Sequence, residues 1–140
     1  MKWTRRSFPF LLPALTTAQQ PRPKAPLPSQ ALRHEDLPTR KSGTILLRQI
    51  LNGVTHSGFL IDLHESELPA GEAPHPPHRH IHEELLLLRE GTVEITIAGL
   101  TTRLGPGSVA YIASGQEHGW RNTGNTTATY FVLALGDDRP

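Results

Sequence analysis

The sequence predicts an all-β domain, on three observations. Beyond residues 1–18 no segment carries an apolar stripe at helical spacing. Short runs alternate instead: Val93, Ile95 and Ile97 fall on one side of a strand, and Thr92, Glu94 and Thr96 on the other. Glycine and proline break these runs at near-regular intervals, the pattern of a sandwich or barrel of many short strands. A chain of 140 residues without internal duplication is expected to form one domain. About eight strands fit after Ser42.

At the N-terminus, Lys2, Arg5 and Arg6 precede a mostly apolar stretch, Ser7 to Leu15, and a small-residue exit at Thr16-Thr17-Ala18. This is the layout of an export signal over residues 1–18. Thr4-Arg5-Arg6-Ser7-Phe8 resembles the twin-arginine type, which implies export of a folded protein to the periplasm. A cytoplasmic chain with a ragged terminus is the alternative. Residues 19–43 read as a linker and arm, held extended by Pro21, Pro23, Pro26 and Pro28. One helical turn at most is expected at His34-Glu35-Asp36-Leu37, and a turn-like approach at Arg40-Lys41-Ser42-Gly43. The barrel is expected over 44–136 and a tail over 137–140.

Thr44 to Leu51 is rich in Ile and Leu and predicts a strand, with Asn52-Gly53 as a turn signal after it. Ser57 to Ser66 alternates: Phe59, Ile61 and Leu63 share one face, Leu60, Asp62 and His64 the other. Pro74, Pro76 and Pro77 keep the next segment out of helix. His82 to Arg89 predicts a strand with Leu86 and Leu88 towards the core. Leu85 and Leu87 are expected under a partner sheet or subunit. Thr92 to Ala98, Leu100 to Leu104, Ser108 to Ile112, His118 to Arg121 and Thr127 to Leu135 complete the set. Tyr130 and Phe131 are expected inside. Turns are expected at Gly99, Gly105-Pro106-Gly107 and Ser114-Gly115.

Composition narrows the function classes. The absence of cysteine removes disulfides, thiolate metal sites and cysteine nucleophiles. From Ala31 onward nine basic side chains face thirteen acidic ones, with no basic run, which argues against nucleic-acid binding. No apolar stretch is long enough to span a bilayer, so no membrane partner is expected for the mature form.

The chemistry concentrates in His75-Pro76-Pro77-His78-Arg79-His80-Ile81-His82-Glu83-Glu84. Imidazole and carboxylate together suit a divalent transition metal such as Fe, Mn, Zn or Ni. On an extended chain His78, His80, His82 and Glu84 share a face, and His118 stands ready to be brought back to them by the fold. Alternate residues are about 6.6 Å apart along a strand, so not all three of these histidines reach one ion. His82 is the candidate to stand behind the ligands or face a substrate. His34, His56, His64 and His75 each read most simply as solvated or hydrogen-bonded side chains.

Two spacings resemble the cupins, specifically the small single-domain members. Gly71, His78-Arg79-His80, Glu84 and Gly91 match the first motif, with one extra residue before His78. Gly107, Ala113-Ser114-Gly115, His118 and Asn122 match the second, with Ala113 where proline is usual. The resemblance covers about Ile45 to Leu135. It implies a double-stranded β-helix, or jelly-roll, barrel in which His78, His80, Glu84 and His118 ligate one metal. Three of these ligands would come from the first strand set and His118 from a neighbouring strand. It also implies open coordination positions and a homodimer. Gly91 and Gly107 match turn glycines, and Asn122 the closing residue of the motif.

Such a site implies a small-molecule substrate or ligand that chelates through oxygen. Dioxygenase or oxidase chemistry is the first reading. The alternatives are a non-redox isomerase, lyase or decarboxylase, for which an acid–base pair beside the metal would speak, and a binding module without chemistry. His82 and Tyr111 are the candidate catalytic residues. His64, Arg48, Arg121, Trp120 and Tyr130 are further candidates to surround the metal. Leu86, Ile95, Val109, Phe131 and Leu133 are the expected apolar wall.

Overall fold

The structure is a computed structural model that describes residues 25–136. The expected export signal, the first part of the proline-rich stretch and the tail lie outside the described residues. Nine strands follow a single 3-10 turn, His34–Asp36: β1 Thr39–Ser42, β2 Ile45–Val54, β3 Leu60–Leu68, β4 Glu83–Glu90, β5 Val93–Ile97, β6 Leu100–Leu104, β7 Val109–Ile112, β8 His118–Asn122 and β9 Ala128–Leu135. They form a six-stranded sheet in the order β1-β2-β3-β9-β4-β7 and a three-stranded sheet in the order β6-β5-β8. Every pairing is antiparallel. This is the all-β jelly roll expected from the sequence, with eight strands after Ser42.

Alternation decides what lies between the sheets. From the larger sheet come Leu68, Leu86, Leu88, Ile112, Tyr130 and Val132, all buried; from the smaller come Val93, Ile95, Leu104 and Trp120. The cross-strand rows Glu84–Ala134–Asp62, Leu86–Val132–His64 and Leu88–Tyr130–Ser66 put these residues on the same inner face. Burial of this apolar area is what closes the two sheets on each other.

Several local expectations are corrected. Asn52-Gly53 is not a turn: both residues lie in β2, opposite Asp62 and Ile61. Asn52 gives its amide to the Asp62 carboxylate, and Gly53 admits the arm, since a Cβ there would stand 3.0 Å from Leu27. The reversal falls at residues 55–58, where Gly58 takes φ +89°. Arg40-Lys41-Ser42 belongs to β1, paired with β2, and is not a turn. Phe131 points outward opposite Leu87, because Tyr130 and Val132 occupy the inner phase. Leu87 is 40% exposed, so no sheet among the described residues covers it.

The arm crosses the outer face of the larger sheet. Leu27 donates its amide to the carbonyl of Val54 at 2.8 Å, and Gln49 donates to the carbonyl of Pro38 at 3.1 Å. Glu65, outward on β3 yet only 1% exposed, is buried by this crossing. Arg89 reaches it at 2.9 Å and the His34 Nε2 at 2.8 Å, with Arg48 at 3.6 Å. A buried carboxylate needs such partners.

Candidate metal centre

The centre is assembled from one irregular segment, one strand of the larger sheet and one of the smaller. Of the histidine-rich stretch only Glu83 and Glu84 lie in β4, and Glu84 is the one expected ligand among them. His78, His80 and His82 precede it, so the expectation of three ligands on one strand set is corrected. Prolines at 74, 76 and 77 remove backbone donors and keep this segment from joining a sheet. It is fixed instead by hydrogen bonds from His78 amide to His118 carbonyl and the reverse, each 3.0 Å, and from the Gly115 amide to the His80 carbonyl at 2.8 Å. His118 therefore comes from the facing sheet. Gly119 permits the approach, since a Cβ there would meet Pro77 at 3.2 Å.

The donor atoms converge. The His80 Nε2 lies 3.4 Å from one oxygen of Glu84, and the His118 Nε2 lies 3.8 Å from the other. His78, His80 and His118 form one group whose ligand atoms all lie within 4.8 Å of one another; His80, His82 and Glu84 form a second. Two donors at right angles, each about 2.1 Å from one ion, would stand about 3 Å apart. The observed separations are slightly wider than that.

Two backbone carbonyls orient the rings. His80 donates its Nδ1–H to the carbonyl of His82 at 2.8 Å, and His118 donates its Nδ1–H to the carbonyl of Gln116 at 3.0 Å. A carbonyl only accepts, so the proton sits on Nδ1 and the Nε2 lone pair faces the cluster. Both Nε2 atoms, Oε1 of Glu84 and Nδ1 of His78 are buried without a hydrogen-bond partner. Orphaned polar atoms on four neighbouring side chains are costly unless something satisfies them, and a divalent cation could do so. Burial, then the neighbouring imidazoles of His75, His118, His80 and His82, lowers the pKa of His78 to about 4. A lowered pKa favours the neutral ring, the form that can ligate.

The other expected site residues divide. His82 is brought in: its ring stacks on His80 with centroids 3.6 Å apart, and its Nε2 lies 3.8 Å from Glu84. It is a fifth donor at the edge of the cluster. Trp120 shares the inner face with His118, and Tyr130 meets it edge-on at 5.7 Å. Tyr111 is not brought in. The alternation that buries Ala110 and Ile112 turns it outward, where it is 53% exposed. Its hydroxyl donates to the Glu83 carboxylate, which raises its pKa. Arg48 is on the outer face with Glu65, and Arg121 is exposed. Val109, Phe131 and Leu133 face outward, while Leu86 and Ile95 lie in the core; Val132 and Ala134 take their place in the wall.

Two cavities meet at Glu84. One of about 420 Å³ is lined by Asp62, His64, His82, Glu84, Val132 and Ala134, among others. A second, of about 210 Å³, includes His64, Ser66, His75, Glu84, Trp120 and Tyr130. His64, one of the candidates to surround the metal, borders both, and its pairing with Asp62 is what the sequence reading did not anticipate. The Asp62 carboxylate, two residues before it on the same face, lies 3.3 Å from the His64 Nδ1. Burial alone would raise the Asp62 pKa, but hydrogen bonds from Gln49, Asn52 and His64 outweigh it and the net shift is downward. The shared parity of Asp62 and His64 was the available signal.

Asn122, the last residue of the second motif, is wholly buried and acts structurally. Its side-chain amide donates to the carbonyls of Leu68 and Thr126 at 2.9 and 2.8 Å, and its oxygen accepts the amide of Gly124 at 2.9 Å. This ties together the ends of β3, β8 and β9.

Comparison with known proteins agrees with this architecture. The family described as the cupin domain matches residues 64–134. The polyketide cyclase RemF from Streptomyces resistomycificus superposes with a TM-score of 0.66 at 21% identity, covering 80% of this chain and 82% of that one. A predicted oxalate decarboxylase from Thermotoga maritima gives 0.67 at 16% identity, covering 77% and 100%. An RmlC-like cupin from Shewanella frigidimarina gives 0.66 at 14% identity, covering 79% and 93%. At these identities the likeness is one of fold. No curated protein sequence is a match. With the family matched over half its length and the jelly roll in place, the chain belongs to the cupins.

Proposed function

We propose that this cupin is a mononuclear metal enzyme acting on a small molecule that chelates through oxygen. The observation that carries the reading is the set of orphaned, buried donor atoms from His78, His80, Glu84 and His118. A divalent ion held there would polarise an oxygen ligand, and an Fe ion would add dioxygen chemistry. The chain itself supplies orientation and exclusion of water. Carbonyls fix the rings of His80 and His118, Val132 and Ala134 wall one side, and Glu84 opens onto both cavities.

Dioxygenase or oxidase chemistry is the first form of this reading. Isomerase, lyase or decarboxylase chemistry is the second, and the Asp62–His64 pair beside the donor cluster favours it. Metal content after native purification, with oxygen uptake on catechols, 2-oxo acids and oxalate, separates the two. Bound Fe with oxygen consumption supports oxidation. Bound Mn, Zn or Ni with turnover and no oxygen uptake supports the second form. Tight metal with no turnover on any chelator leaves a binding protein and contradicts an enzyme, and a chain that takes up no divalent metal overturns the proposal.

A further inference from the structure

Asp62 and His64 lie on the inner face of β3, two strands from Glu84 in the same sheet. Asp62 shares a cross-strand row with Ala134 and Glu84. Two strand spacings put the Asp62 and Glu84 backbones about 10 Å apart. The small side chain of Ala134 between them leaves the space open, and the cavity of about 420 Å³ occupies it. The Asp62 carboxylate accepts from Gln49 at 3.1 Å and also from Asn52, so it is held in place. An ionised carboxylate cannot donate, so the His64 Nδ1 carries the hydrogen in their 3.3 Å contact. That leaves the Nε2 lone pair of His64 as an acceptor in a ring bordering both cavities that meet at Glu84.

We propose that His64 accepts the proton of a hydroxyl on the bound ligand, with Asp62 as the residue that positions it and balances its charge. The inference rests on the metal-centre reading and narrows the ligand class to small chelators with a hydroxyl beside the ligating oxygen, as in catechols and 2-hydroxy acids. The O–H bond breaks, its electron pair stays on the ligand oxygen, and a new N–H bond forms at Nε2. The resulting imidazolium faces the Asp62 carboxylate. Oxalate, already without a proton, gains nothing from this arrangement.

The test uses protein loaded with Zn²⁺, a redox-silent ion, with 4-nitrocatechol as the visible probe and oxalate as the control. Affinities come from absorbance and calorimetry, and protons released are counted in buffers of different ionisation enthalpy. Zn²⁺ stoichiometry is measured for every protein. In His64→Leu, 4-nitrocatechol is expected to bind at least tenfold more weakly and to release about one more proton than in the native chain. Oxalate affinity is expected to stay within twofold. His64→Gln retains an acceptor but takes no proton, so it is expected to recover part of the affinity while still releasing the extra proton. This variant also serves if the leucine disturbs folding. Equal 4-nitrocatechol affinity and equal proton release among proteins with full Zn²⁺ overturn the role of His64 alone. Failure of the native chain to take up Zn²⁺ overturns the metal centre, and this inference with it.

Discussion

At the scale of the residue, each donor is defined by what holds its other side. His80 and His118 are ligand candidates because a carbonyl claims Nδ1 in each. That detail cannot be read from a sequence, whereas the residue types and their phase can. His78, His80, Glu84 and His118 were legible from spacing and family resemblance; the fold groups the three histidines, and Glu84 lies 3.4 Å from His80 and 3.8 Å from His118. Tyr111 was misplaced because parity in a four-residue strand turns on one position. His64 read both as a solvated side chain and as a candidate to surround the metal, because a lone histidine does not separate the two until its partner Asp62 and its cavity are seen. Tyr130 offers a prediction at this scale. Burial pushes its pKa up to about 12 from an ordinary 10.0, against the opposing influence of Trp120 and Ser66. The raised value means that the folded state keeps a proton which the unfolded chain loses. This contribution is therefore full below pH 10 and is lost as pH rises towards 12. Urea unfolding should show the native chain losing about 2–3 kcal/mol more than Tyr130→Phe over that window. Parallel losses in the two proteins would contradict the buried, neutral tyrosine.

At the scale of the element, strands were legible where alternation was clean, as in β5, β6 and β9, and less so where tertiary contacts intervene. Asn52-Gly53 has the composition of a hairpin turn, yet it runs on through β2 because Asp62 and Leu27 occupy its two sides. Strand β1 is too short and polar to announce itself, and it exists by pairing with β2. Two motif glycines make the same point. Gly91 and Gly107 have nearly equal φ, +87° and +84°. A Cβ at Gly91 would stand 2.7 Å from the Ala128 Cα, whereas at Gly107 nothing lies within 4 Å. Gly107→Ala should therefore cost about 1–2 kcal/mol from conformation alone. Gly91→Ala should cost at least about 2 kcal/mol more, because strand β9 must also move. Equal denaturant midpoints for the two variants would refute the close packing of the β4–β5 turn on β9.

At the scale of the whole molecule, the barrel brings together groups far apart in sequence. Glu84 stands on the larger sheet and His118 on the smaller, and the histidine segment is stitched to His118 through paired backbone hydrogen bonds. The site is therefore complete only when the two sheets are closed, and metal binding should report on closure of the fold. The all-β class and the jelly roll followed from alternation, turn residues and two motif spacings. The arm did not: its proline content reads as a tether, but its contacts with Val54, Gln49 and Glu65 make it part of the larger sheet's cover. The most direct test of the whole account is an anomalous difference map from crystals of the natively loaded protein, recorded at the absorption edge of its metal. One peak is expected, within about 2.3 Å of side-chain donors from His78, His80, Glu84 and His118 together. A peak elsewhere, or one that His118 does not ligate, would contradict it.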